Sequence, residues 1–180
     1  MKRSFVIVAS LVALLVVGVA SAATLDRIKG TPHDDQIVGT PHGDIISALA
    51  GNDTVAALAG NDVVYGGQGH DGIRGGDDND VIRGGEGNDV IHGGDGSDWI
   101  DAGPGDDVVW VGRGADREFG GRGNDVMHAL ANDNQRDFVD CGPGAHDVVF
   151  LNANERDVAV NCETVNKVVP TPEEEAEDDG

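Results

Sequence analysis

Eleven aspartates occupy a nine-residue grid without a gap: Asp35, Asp44, Asp53, Asp62, Asp71, Asp80, Asp89, Asp98, Asp107, Asp116 and Asp125. A repeat this regular implies a stacked, quasi-one-dimensional structure in which each copy touches only its neighbours. If two units make one full coil, aspartates of one parity stack on each side. Asp35, Asp53, Asp71, Asp89, Asp107 and Asp125 then form one column, and Asp44, Asp62, Asp80, Asp98 and Asp116 the other. Successive carboxylates in a column lie one strand spacing apart, ~4.8 Å, where bare charges in a low dielectric repel by kilocalories per pair. A hard divalent cation between successive loops removes the conflict. Calcium suits best, because it accepts about six to eight oxygens, backbone carbonyls included, whereas magnesium demands a tighter octahedron. Zinc prefers histidine or thiolate ligands. Six aspartates leave five gaps and five leave four, so the columns offer room for up to nine ions.

The elements that must position these carboxylates follow from the rest of the unit. Between Gly66 and Asp98 the chain reads GGQGHDGIR, GGDDNDVIR, GGEGNDVIH, GGDGSD. Glycine stands four residues before the aspartate at Gly67, Gly76, Gly85, Gly94, Gly103, Gly112 and Gly121. It stands two before at Gly51, Gly60, Gly69, Gly87, Gly96, Gly105, Gly114 and Gly123. Alternate glycines suit a loop that repeatedly visits positive φ, or one whose backbone approaches a ligand closely. Asp78, His33 and His42 take the second of these places and are residue types that tolerate left-handed geometry. Two residues past each aspartate stands a branched aliphatic: Ile37, Ile46, Val55, Val64, Ile73, Ile82, Ile91, Ile100 and Val109. One such residue among variable neighbours, with Arg74, Arg83, His92 and Trp110 following, reads as a short strand with one side chain inward. The period and the glycine content exclude a helix. Strand and turn in alternation predict an all-β flattened coil of parallel strands, one full turn per 18 residues. Glu118 occupies an inward place, where an unpaired carboxylate is costly; a local register shift with Phe119 turned inward is expected there.

Around this centre the pattern loosens. GTPHDDQIV, GTPHGDIIS, ALAGNDTVA and ALAGNDVVY precede it, and AGPGDDVVW, VGRGADREF and GGRGNDVMH follow. The grid ends after Asp125: Asn134 holds the next place, and the aspartates resume off it at Asp137, Asp147 and Asp157. The apolar segments there, with Cys141 and Cys162, read as a terminal cap over 129–168 that closes the stack. Two cysteines fit one disulfide in an exported protein, and a loop of that length stabilises by roughly 3 kcal/mol if unstrained. Residues 1–22 read as a secretory signal peptide, with Lys2 and Arg3, an apolar run and a small-x-small site at Ala20-Ser21-Ala22. Residues 23–29 form a short lead-in, and 169–180 an acidic, proline-broken, disordered tail. The formal net charge of -21 becomes -23 once Lys2 and Arg3 leave. That balance repels nucleic acid and anionic membrane surfaces and invites cations.

The units resemble the RTX (repeats-in-toxin, haemolysin-type) nonapeptide GGxGxDxUx, closely over Gly66–Asp98 and more loosely over Gly30–His128. The resemblance implies a parallel β-roll over 30–128, calcium held between turns by aspartates and loop carbonyls, and folding coupled to calcium. Carried over residue by residue, the strongest ligands are Asp71, Asp80, Asp89 and Asp98 with Gly66, Gly67, Gly69, Gly75, Gly76, Gly84, Gly85, Gly87, Gly93, Gly94 and Gly96. The looser units add Asp35, Asp44, Asp53, Asp62, Gly103, Gly105, Asp107, Asp116, Gly121, Gly123 and Asp125. The chain departs from the family in two respects. RTX proteins typically leave through an exporter that reads a C-terminal signal, and they lack cysteine.

These features predict a secreted, extracellular, non-catalytic calcium-binding repeat protein, with no membrane insertion after signal removal and no identified protein or cell-surface partner. An enzyme would need a catalytic domain, and nothing outside the repeats is large enough to hold one. His33, His42, His70, His92, His128 and His146 fall on turns or outward strand places as solvated filler. An ice-binding face needs a regular outward row, and the place three before each aspartate shows none, running from Pro32 through Gln68 and Glu86 to Arg122. An adhesion scaffold built on the calcium-stabilised roll is the alternative reading.

Overall fold

The structure, a computed structural model, describes residues 25–170 and the backbone of Leu14–Val16. It is a parallel β-solenoid of about eight coils, with no helix among the described residues. One sheet contains β1 (Leu14–Val16), β3 (Gln36–Val38), β5 (Thr54–Ala59), β7 (Gly72–Asp77), β9 (Val90–Asp95), β11 (Val108–Arg113), β13 (Val126–Ala129), β15 (Val148–Asn152) and β17 (Thr164–Val168), side by side in that order. The other contains β2 (Asp26–Lys29), β4 (Asp44–Ala50), β6 (Val63–Gln68), β8 (Val81–Glu86), β10 (Trp99–Pro104), β12 (Arg117–Arg122), β14 (Phe138–Asp140) and β16 (Val158–Val160). The chain therefore alternates between sheets at every unit. Paired residues such as Val63 and Val81, or Ile73 and Ile91, are 18 apart. This is the coil length read from the sequence.

The first place of each unit, two residues after the branched aliphatic, also points inward. Ile46, Val64, Ile82 and Ile100 line one sheet and Val55, Ile73, Ile91 and Val109 the other, all buried. Beside them run small residues, Ala48, Ala57 and Ala102 among them. Two facing rows of single aliphatics with small companions make a thin core, so little of the fold's stability can come from apolar burial.

The glycine pair differs from its reading as turn. Gly66 and Gly67 lie within β6, and only the three residues 69–71 form the bend. Gly66 faces inward, where a Cβ would come within 2.6 Å of Asp71 Oδ2. Gly67, at φ 123°, stacks over Leu49, and a Cβ there would overlap the Leu49 carbonyl. In these regular units the two glycines sit in close approach, Gly66 to the Asp71 carboxylate and the Gly84 carbonyl, Gly67 to the Leu49 carbonyl. In the earlier units Leu49 and Leu58 hold the second place at φ 90°. Asp78 adopts φ 75°, as its type allows, whereas His33 and His42 do not take positive φ.

The expected register shift at Glu118 does not occur. β12 stays in register with β10 and β14, with Glu118 opposite Ile100 and Val139, and Glu118 is fully buried. Ladders on both sides fix this strand, and Phe119 points outward against the rings of Trp99 and Phe138, 5.6 and 6.2 Å away between centroids. Sliding by one residue would break both ladders and turn Phe119 into space sized for an aliphatic. On the other sheet His92, Trp110, His128 and Phe150 form an outward ladder of stacked rings spaced 4.6–4.9 Å.

Residues 23–29, read as a lead-in, include β2, which pairs with β4 and starts the second sheet. The signal-peptide reading of 1–22 lies outside the described residues except for Leu14–Val16, which pairs with Gln36–Val38. The tail reading likewise lies outside them beyond residue 170. Cys141 and Cys162 form a disulfide.

Candidate metal centre

The aspartates stand in two columns along the edges of the roll, partitioned by parity as expected. Each is almost wholly buried; Asp71, Asp89 and Asp107, for example, are 2%, 1% and 0% exposed. Within a column each carboxylate uses one oxygen structurally. The backbone N–H of Asp53 donates to Asp71 Oδ1, that of Asp71 to Asp89 Oδ1, and that of Asp89 to Asp107 Oδ1, at 2.7–2.8 Å. The other column repeats this through Asp62, Asp80, Asp98 and Asp116. The next N–H along then donates to the carbonyl of the aspartate one coil back, as Val90 does to Asp71 at 2.8 Å. These bonds set the side-chain rotamer and hold each carboxylate against the coil before it.

The residue just before each aspartate builds a second, exposed ladder of opposite polarity. Asn52 N–H donates back to Asp34 Oδ1, His70 N–H to Asn52 Oδ1, and Asn88 N–H to His70 Nδ1. The sequence reading missed this ladder. Its signal was visible in the run of short acceptor side chains Asp34, Asn52, His70, Asn88, Asp106 and Asn124.

The second carboxylate oxygen is the unresolved charge. Oδ2 of Asp53, Asp62, Asp71, Asp80, Asp89, Asp98, Asp107, Asp116 and Asp125 is buried without a hydrogen-bond partner. Such an atom costs several kilocalories per mole unless something positive meets it. Asp35 and Asp44 are different. Thr31 N–H donates to Asp35 Oδ2 at 2.6 Å and Thr40 N–H to Asp44 Oδ2 at 2.7 Å, with both threonine hydroxyls adding bonds to the same carboxylates. In the Thr-Pro-His units the backbone N–H at this place meets Oδ2, and the threonine hydroxyl adds a donor that glycine lacks.

Burial pushes the orphaned carboxyls upward, with neighbouring aspartates adding to the shift at several of them. Asp53 and Asp125 rise to about 6, Asp62, Asp89, Asp98 and Asp107 to about 7, Asp80 to about 8 and Asp116 to about 9. Asp71 is raised by burial too. Without a counter-charge, the folded roll therefore holds its protons on these carboxyls to higher pH than free aspartate does.

The remaining donors for a cation are carbonyls. Among the described residues no cluster of three or more His, Cys, Asp or Glu side chains gathers as metal ligands. Among the described residues, outside the strands, no backbone hydrogen bond ends on the carbonyl of Gly69, Gly87 or Gly105. These glycines stack one over another so closely that a Cβ at Gly87 would overlap the Gly69 carbonyl. Buried anionic oxygens beside spare carbonyls form an all-oxygen donor set, which fits calcium and not zinc. The structure brings together Gly66, Asp71 and Gly84 of successive coils, and equally Gly75, Asp80 and Gly93. Gly93 with Asp98 and Gly120 with Asp125 repeat the arrangement, whereas Ala102 and Val111 stand at that place before Asp107 and Asp116.

The columns do not stop at Asp125. Asp116 N–H donates to Asp137 Oδ1, Asp125 N–H to Asp147 Oδ1, Asp137 N–H to Asp157 Oδ1 and Asp147 N–H to Glu163 Oε2. The off-grid aspartates of 129–168 thus continue both columns, which sequence reasoning missed.

The family model of the RTX calcium-binding nonapeptide repeat matches the chain at residues 38–73, 66–100, 74–109, 83–118, 92–127 and 110–135. These overlapping matches span more than half of the chain. No curated protein matches it in sequence. The stacked glycine–aspartate turns and the family match agree: the chain belongs to the RTX calcium-binding nonapeptide repeat family, a calcium-binding repeat protein built as a β-roll.

Proposed function

We propose that this is a secreted, extracellular and non-catalytic protein whose roll folds as calcium binds between its coils, taking up to nine ions along the grid. The observation that carries this reading is the row of nine buried Oδ2 atoms without partners. Each is a charge that the folded state hides and cannot neutralise with its own residues. A cation held by Asp53, Asp62, Asp71, Asp80, Asp89, Asp98, Asp107, Asp116 and Asp125, with carbonyls of the preceding glycines, supplies the missing positive charge. Asp35 and Asp44 are served by Thr31 and Thr40 and act as metal-independent ends of the columns. With so thin a core, binding free energy is then folding free energy. The Cys141–Cys162 disulfide suits an oxidising compartment, in keeping with the secretory reading of 1–22.

Circular dichroism of the full chain with and without millimolar calcium tests the coupling. The β spectrum is expected only with calcium; a metal-free spectrum already fully β at neutral pH would sink it. A hydrolase screen of the calcium-loaded protein is expected to be blank.

A further inference from the structure

We propose a further calcium site beyond the family-matched span, between the loops Gly121–Asp125 and Gly142–Asp147, with Asp147 as its carboxylate. It rests on the reading of the columns as calcium sites. The loop is a repeat in disguise. Cys141-Gly142-Pro143-Gly144-Ala145-His146-Asp147 matches Ala102-Gly103-Pro104-Gly105-Asp106-Asp107 with one residue, Ala145, inserted.

The structure bears out that alignment atom by atom. Gly142, at φ 89°, sits over the Gly121 carbonyl and Gly144 over the Gly123 carbonyl, as the regular glycines sit over theirs. Asp147 is 0% exposed. Its Oδ1 accepts the Asp125 N–H at 2.9 Å, its carbonyl accepts the Thr164 N–H at 3.0 Å, and its Oδ2 is buried without a hydrogen-bond partner. A Cβ at Gly144 would overlap both Asp147 oxygens and the Gly123 carbonyl, so these three oxygens converge on one small volume. The insertion is absorbed without moving the carboxylate out of its column. The disulfide enters at the residue before Gly142, whose N–H also bonds Val160, and so pins this loop to the next coil. On the far side Glu163 takes the Asp147 N–H at 2.8 Å and ends the column.

The test counts calcium ions bound to the full chain by equilibrium dialysis, for the wild type, Asp147→Asn and Asp71→Asn. Asparagine keeps the Oδ1 acceptor and removes the charge. Asp147→Asn is expected to lose one ion per chain, and to lose calcium-dependent amide protection over Val148–Asn152 while Gly72–Asp77 keeps its own. Gly144→Ala, which keeps every carboxyl group in the chain but drives a Cβ onto the Asp147 oxygens and the Gly123 carbonyl, is expected to lose the same ion, and it carries the comparison if Asp147→Asn does not fold. Calcium bound in full by both variants would overturn this site while leaving the grid reading intact. A wild type that binds no calcium would overturn the grid reading itself.

Discussion

Acidity should act on this protein with opposite signs in the presence and absence of calcium. Seven carboxyls, Asp62, Asp80, Asp89, Asp98, Asp107, Asp116 and Asp137, lie at about 7 or above in the fold, against a reference of 3.8. Between those limits the folded, metal-free roll holds protons that the unfolded chain has released, so its stability falls as pH rises. The contribution is fully present below about pH 4 and is lost as pH climbs through about 7. A rise of three units corresponds to about 4 kcal/mol per carboxyl. A quarter of that at each of seven groups already sums to about 7 kcal/mol, comparable to the whole net stability of a small domain, about 5–15 kcal/mol. The metal-free roll should therefore gain β structure at pH 5 and lose it by pH 8. With calcium the sign reverses, because protons compete with the ion for the same oxygens, and stability should fall on acidification below about pH 6. Urea titrations followed by circular dichroism from pH 5 to 8, in chelator and in calcium, measure both arms. Metal-free stability that is flat or rises over that range would refute the reasoning, as would calcium stabilisation that does not weaken with acid.

Four substitutions probe separate parts of the roll. Glu118→Ile replaces a carboxylate buried between Ile100 and Val139 with the residue type of its row; it should raise the urea midpoint by an amount equivalent to about 1–3 kcal/mol. Asp44→Asn should leave the calcium count unchanged because Thr40 already serves that carboxylate, whereas Asp80→Asn should lower it, both read by equilibrium dialysis. Gly87→Ala drives a Cβ into the Gly69 carbonyl, and should destabilise the calcium-loaded roll by more than about 1 kcal/mol in a thermal melt.

The parts of the fold legible in sequence were those that stacking repeats at nearly every coil. An aspartate at Oδ1 distance from the previous coil's N–H, and a branched side chain two residues on, each answer to one geometry, so their spacing stays at nine. The glycine pair was legible as glycine but misread as turn, since close approach between coils and positive φ leave the same residue type. Insertions hid the rest. Asp116 to Asp137 spans 21 residues where a coil takes 18, and Asp125 to Asp147 spans 22. Those extra residues lie in loops, where the roll absorbs them, yet they throw the later aspartates off the grid. Glu118 was misjudged because the cost of one buried carboxylate was weighed alone, without the two ladders and the aromatic contacts that hold its strand.

The central claim is that calcium sits between successive coils, and counting ions tests it most directly. A calorimetric calcium titration of the full chain at neutral pH should saturate near one ion for each of the nine orphaned grid oxygens and one more at Asp147, with β structure growing alongside occupancy. Saturation at fewer than about three ions, too few for one per coil of an all-oxygen ladder, would contradict it.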